Sequence, residues 1–165
     1  MAERAAITVI GIGNPQRGDD AAGRLVAQRL RDHSLAGVKI IECNGEATDL
    51  VDRLRRAASA IIIDAAAFGA KPGTVRRLDV AAQCVPAGRA RSSHGLGLAE
   101  AIELTRALGA LPLPCLIYLV QGSVWEAGAA LSPPVAAAVP RLADLILSET
   151  RAMQALSSPA GGSCD

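Results

Sequence analysis

Apolar residues fall along this chain in two rhythms: short unbroken runs, and longer stretches in which they recur at turn spacing. The runs are Ala6–Ile12, Val38–Cys43, Ala60–Ala65, Val75–Val80 and Leu116–Gln121. Runs this short, rich in Ile and Val and flanked by turn residues, read as strands covered on both faces. The stretch from Asp20 to Asp32 places Leu25, Val26, Arg29 and Leu30 at helical spacing and ends near Gly37. A second helix is expected from Thr48, as its N-cap, through Leu50, Val51 and Leu54. A third, Leu96–Leu108, carries Leu98, Ala101, Ile102 and Thr105 on one stripe and stops at Gly109. The last begins at Ser132-Pro133, a cap and then a first-turn proline, and runs to about Gln154. Pro140 lies inside it and predicts a kink or a restart.

Alternation of this kind predicts a three-layer α/β/α sandwich around a mostly parallel, twisted sheet of about five strands. The connection from Phe68 to Gly73 leaves no room for a crossover helix. The Val75–Val80 strand should therefore run antiparallel at or near an edge, where Arg76 and Arg77 can meet water. Residues 1–156 read as one domain and 157–165 as a disordered tail.

Composition narrows the function classes. The chain has 165 residues, half of them hydrophobic, and a formal net charge of +1, so no global field favours nucleic acid or acidic lipid. Phe68, Tyr118 and Trp125 are its only aromatic residues, too few for a base-stacking platform. No apolar run has membrane length and Met-Ala-Glu-Arg is no signal peptide, so a cytoplasmic protein is expected, partnered with neither nucleic acid nor membrane. Cys43, Cys84, Cys115 and Cys164 show no metal-site spacing, and Cys43 and Cys115 sit in apolar runs as small buried residues do. Arginines gather at Arg53, Arg55 and Arg56, at Arg76 and Arg77, and at Arg89 and Arg91. Such clusters read either as solvated faces or as docking points for an acidic partner.

Candidate chemistry gathers where the strands end, the place where open α/β sheets bind ligands. After the first strand, Gly11-Ile12-Gly13-Asn14 leads to Asp19 and Asp20; Glu42, Asn44 and Glu46 follow the second. The third ends at Asp64, Ser92-Ser93-His94-Gly95 precedes the third helix, and Gln121-Gly122-Ser123 follows the last strand. Taken singly, Asp20 reads as a first-turn acid, Asp64 as a strand-end acceptor and His94 as a residue near a helix cap. Together they form an O,O,N set with open positions, suited to a borderline divalent metal or metal-assisted hydrolysis. Asp19 and Asp20 point about 100° apart on entering a helix, so one faces the site and Asp19 takes the N-cap. His33, at a helix C-terminus, reads as a surface residue. A dinucleotide site would need a third glycine where Gln16 stands, and two aspartates would repel its phosphates. Ser92, Ser93 and Ser123 lie in no G-x-S-x-G elbow.

These residues resemble the hydrogenase maturation proteases, endopeptidases that process the large subunit of nickel–iron hydrogenases. Gly11-Ile12-Gly13-Asn14 through Asp19-Asp20 to Gly23 is similar to that family's G-x-G-N-x-x-x-x-D-[DE]-x-x-G. Ile63-Asp64-Ala65 with Lys71-Pro72-Gly73-Thr74-Val75, Ser92-Ser93-His94-Gly95-Leu96, and Leu131-Ser132-Pro133 with Val135 resemble three further segments in the same order. The resemblance implies that Asp20, Asp64 and His94 are both the catalytic and the metal-engaging residues. The metal it implies is nickel already carried by the large-subunit precursor and not permanently bound. The implied reaction removes a short C-terminal extension from that precursor, and the protein itself is expected to be a monomer. Two mechanisms stay open: nickel polarising the carbonyl or a water, or Asp64 as general base in the aspartic-protease manner. So do a nickel-checking chaperone without catalysis and, more distantly, a nucleotide-binding α/β protein. The chain departs from the family at Asp20, where some members carry Glu, at Ala21, and at Cys43-Asn44-Gly45-Glu46.

Overall fold

The computed structural model describes residues 5–85 and 95–157. Its elements are β1 (Ala5–Ile12), a 3-10 turn (Gly18–Ala21), α1 (Ala22–Arg31), β2 (Val38–Cys43), α2 (Ala47–Arg55), β3 (Ala57–Ala66), β4 (Val75–Asp79), α3 (Gly95–Ala107), β5 (Cys115–Gln121) and α4 (Pro133–Ser157). The five strands lie in the order β2-β1-β3-β5-β4. All neighbours are parallel except β4, which pairs antiparallel with β5 at the edge, as its short connection requires. Expectation and structure agree on the three layers and on the five strands.

Period-two alternation divides the core between the two faces. Ile7, Val9, Ile61, Ile63, Tyr118 and Val120 pack under α1 and α4, while Ile10, Ile12, Ala60, Ile62, Ile117 and Leu119 pack under α2 and α3. Each fully buried Ile or Leu is worth about 1.5–3 kcal/mol relative to exposure. The central strand β3 is therefore apolar apart from Ser59, whose hydroxyl donates to the Ala6 carbonyl, and Asp64, its one charged residue.

Three local expectations differ from the structure. Glu46, not Thr48, caps α2: its carboxylate accepts the Thr48 and Asp49 N–H groups, both at 3.2 Å. The longer Glu side chain curls back over the first turn and also takes the Thr48 hydroxyl. α4 does not restart at Pro140 but runs through it as one helix of 25 residues. Val135, Ala138, Val139, Leu142, Ala143 and Ile146 hold both halves against the sheet, and the Ala136 carbonyl that loses its donor belongs to an exposed residue within reach of water. Asp19 caps no helix at all. The segment 86–94, with Arg89, Arg91, Ser92, Ser93 and His94, lies outside the described residues, as do 158–165 of the expected tail with Cys164.

Candidate active site

The chain leaves β1 toward β2 on one side and leaves β3 toward β4 and β5 on the other, so the carboxyl ends of β1 and β3 flank the crevice where the strand order reverses. Two close backbone approaches build that crevice. Gly23, in the first turn of α1, lies against the Ile12 and Ile63 carbonyls, where any Cβ would collide with both oxygens. It does the work of the helix-seating third glycine, later in the chain than a dinucleotide motif would place it. Gly13, at φ +148°, sits under the Asp20 carbonyl in a conformation and a space only glycine tolerates. The chain then folds back, and the Asn14 N–H donates to Asp20 Oδ2 at 3.1 Å.

Asp20 and Asp64 are thereby brought together, each 2% exposed or less. Asp64 continues the Ala60–Ile62 alternation on the α2/α3 face of β3. Among the described residues it accepts one hydrogen bond, from the Ala65 N–H at 2.8 Å. Burial pushes its carboxyl well above the usual carboxylate range, and the Asp20 charge pushes the same way against that one bond. Both effects favour the protonated form of Asp64. His94 cannot be placed beside it, lying outside the described residues. However, α3 begins one residue later, and its Gly97 abuts the Gly45 carbonyl at the same rim of the sheet.

The neighbouring Asp19 has the opposite surroundings. It is fully buried and accepts from Ser132 N at 2.7 Å, Ser132 Oγ at 2.9 Å, Ser123 N at 2.7 Å and Val124 N at 3.0 Å. Backbone bonds from Gly18 N to Ala129 O and from Asp19 N to Val124 O stitch the 3-10 turn to the same β5–α4 loop. Instead of capping a helix, Asp19 clamps that loop to the turn that carries Asp20. Its partners lie more than a hundred positions away, and Ser132 in particular reads from sequence as a helix cap.

The remaining strand-end polar residues have structural tasks. Glu42 pairs with Arg31 and accepts from Gln28 Nε2 at 2.8 Å. Asn44 Oδ1 accepts the Glu46 N–H. Gln121 Oε1 accepts from Phe68 N and Ala70 N, fixing the turn that leads to β4. His33 is exposed just beyond α1, as expected. Cys43 and Cys115 are buried, and burial pushes the Cys115 thiol up to about 12. A cleft of about 410 Å³ opens beside the turn, lined by Asn14, Pro15, Gln16, Arg17, Ala127, Gly128 and Ala129.

The sequence profile described as hydrogenase maturation protease matches residues 24–149, well over half of the chain. The chain belongs to that family. The matched span takes in Asp64 and His94 and begins just after Asp20. Among curated relatives, the hydrogenase expression/formation protein HupD of Thiocapsa roseopersicina is 30% identical over 118 residues, 70% of this chain and 53% of HupD. The chain thus spans about half the length of that relative. The hydrogenase maturating endopeptidase HybD from E. coli superposes with a TM-score of 0.76 at 25% identity, covering 88% of this chain and 92% of HybD. The [NiFe] hydrogenase maturation protease HycI from Thermococcus kodakarensis gives 0.70 at 26% identity over 89% and 93% of the two chains. Three of the four ordered motifs, at Asp64–Val75, Ser92–Leu96 and Leu131–Val135, fall inside the matched span. Among the described residues no helix is long and apolar enough to cross a membrane.

Proposed function

We propose that this chain is an endopeptidase that removes the C-terminal extension of a nickel–iron hydrogenase large-subunit precursor once nickel has been inserted. The observation that carries this reading is the buried Asp20–Asp64 pair at the switch point, in which Asp64 has a strongly raised proton affinity. Placing two carboxylates out of water and beside each other is costly, and a divalent cation between them relieves both burial and repulsion. Nickel is here part of the substrate. A precursor without it offers the pair no such relief, so the pair distinguishes loaded from empty precursor.

His94, just before α3, supplies the third, nitrogen ligand in this reading, completing a set that leaves coordination positions for the precursor's own groups. Cleavage adds a water to the scissile carbonyl carbon as the C–N bond breaks, and Asp64 carries the water's proton to the departing amine. The sequence motifs, the rim position of Gly97 and the likeness to the maturation endopeptidases HybD and HycI support this assignment. The protein requires no resident metal, and a cytoplasmic setting suits a reaction on a newly loaded precursor.

The test is to mix the purified protein with nickel-loaded and with nickel-free precursor and to weigh the large subunit. A shortened product from loaded precursor alone is expected, with none formed by His94→Ala. Binding of loaded precursor with no mass change would leave a nickel-checking chaperone. Cleavage of nickel-free precursor would remove nickel from the account.

A further inference from the structure

A second groove, of about 550 Å³, opens at the β4 edge of the same sheet end. One wall is Lys71–Val75, the other the first three turns of α4 through Pro134, Ala138, Arg141, Leu142 and Leu145. Its limits are built. At the rim Gly73 lies so close to Pro134 that a Cβ there would come within 2.6 Å of the Pro134 oxygen. At the far end Arg77, on β4, pairs with Glu149, on α4, at 3.1 Å. The floor is apolar, and Leu145 leaves 47% of its surface in water. Every charge in the lining is positive, from Lys71 and Arg141. β4 is the outermost strand, so its outer edge is not paired within the sheet. A narrow trough beside an open strand edge fits an extended chain, not a folded domain.

We propose that this groove receives the C-terminal extension of the precursor, as an extended segment of alternating apolar and acidic residues. The assignment rests on the protease reading above for its partner, and on the groove for its chemistry. Asp64 on β3 lies about 10 Å from β4 at two strand spacings and on the opposite face of the sheet from α4, so the extension passes over the carboxyl rim of the sheet to enter the groove. An extended chain covers about 3.3–3.6 Å per residue, so roughly six residues beyond the scissile bond carry it along the sheet and over its rim to the groove. Acidic side chains from there onward meet Lys71 and Arg141 while apolar ones cover Leu142 and Leu145. The extension thus supplies affinity away from the reacting bond and departs with its own cleavage.

The test uses the full-length protein and the double variant Lys71→Glu/Arg141→Glu, both exposed positions outside the catalytic set, with unchanged circular dichroism as the folding control. With nickel-loaded precursor, KM should rise about tenfold and kcat stay unchanged, since reversal replaces two attractions with two repulsions. A fluorescein-labelled decapeptide alternating Glu with Leu should bind wild type and lose at least as much affinity in the variant, while its Lys-for-Glu counterpart should show the reverse preference. Equal peptide affinity for the two proteins, or no binding to wild type, overturns the groove assignment whatever happens to cleavage. Failure of wild type to cleave loaded precursor, with charge-dependent peptide binding intact, overturns the protease reading and leaves the groove. A dimer that the double variant dissociates in sedimentation would assign the groove to a second copy of the chain and refute the proposal.

Discussion

Two buried carboxylates at one end of the sheet, Asp19 and Asp64, are equally removed from water and opposite in circumstance. Asp19 meets three backbone N–H groups and a hydroxyl, so its charge is satisfied where it lies. Asp64 meets one N–H and the negative charge of Asp20. The first environment supplies hydrogen-bond donors and holds the molecule together; the second disfavours the charge on Asp64, a cost that a proton or a cation relieves. The difference separates scaffold from chemistry more sharply than burial does. In the sequence the two residues look alike, because the donors that distinguish them come from the β5–α4 loop.

The largest expected effect falls on the chemical side of this comparison. Asp20→Asn keeps the shape and removes a charge, so cleavage of loaded precursor should fall on the order of 10³-fold with the melting temperature unchanged or higher. An Asp20→Asn protein that processes normally would break the pairing of Asp20 with Asp64. Asp19→Ala should do the reverse. Stranding three buried N–H groups and a hydroxyl costs about 3–5 kcal/mol, or roughly 10 °C in a chain of this size, and activity should fall only as the fold does. Asp19→Asn, which would cost little in a simple N-cap, must here turn an NH₂ toward donors and should lose about 1–3 kcal/mol in chemical denaturation. Pro140→Ala, within α4 and away from the carboxylate pair, should gain about 1 kcal/mol by restoring a helix hydrogen bond, with kcat untouched.

Much of this was legible in the chain because it depends on local patterning. Unbroken runs such as Ile61–Ile63 announce a doubly covered strand, and the short Phe68–Gly73 link announces an antiparallel neighbour. Asp64 stood out because a carboxylate interrupts such a run. What was not legible depends on distant partners. Ser132 looks like the cap of α4, yet its side chain belongs to Asp19. Thr48 looks like a cap and is outreached by Glu46. Gly23 seats α1 because it lies over the Ile12 and Ile63 carbonyls, a contact set by the packing of helix on sheet.

The central claim is that Asp64 is held against its ionisation, and stability measured against pH tests it directly. A carboxyl whose folded pKa lies above its unfolded value keeps a proton that the unfolded chain gives up. Stability therefore drops as pH rises from about 4, and the loss levels off only above the folded pKa. Urea denaturation of wild type and Asp64→Asn across that range should show wild type falling steadily relative to the variant, with Asp64→Asn the more stable protein at neutral pH. A difference that stays flat, or a wild type that gains on Asp64→Asn as pH rises, would mean that Asp64 is a satisfied carboxylate like Asp19 and that the pair stores nothing for a cation to relieve.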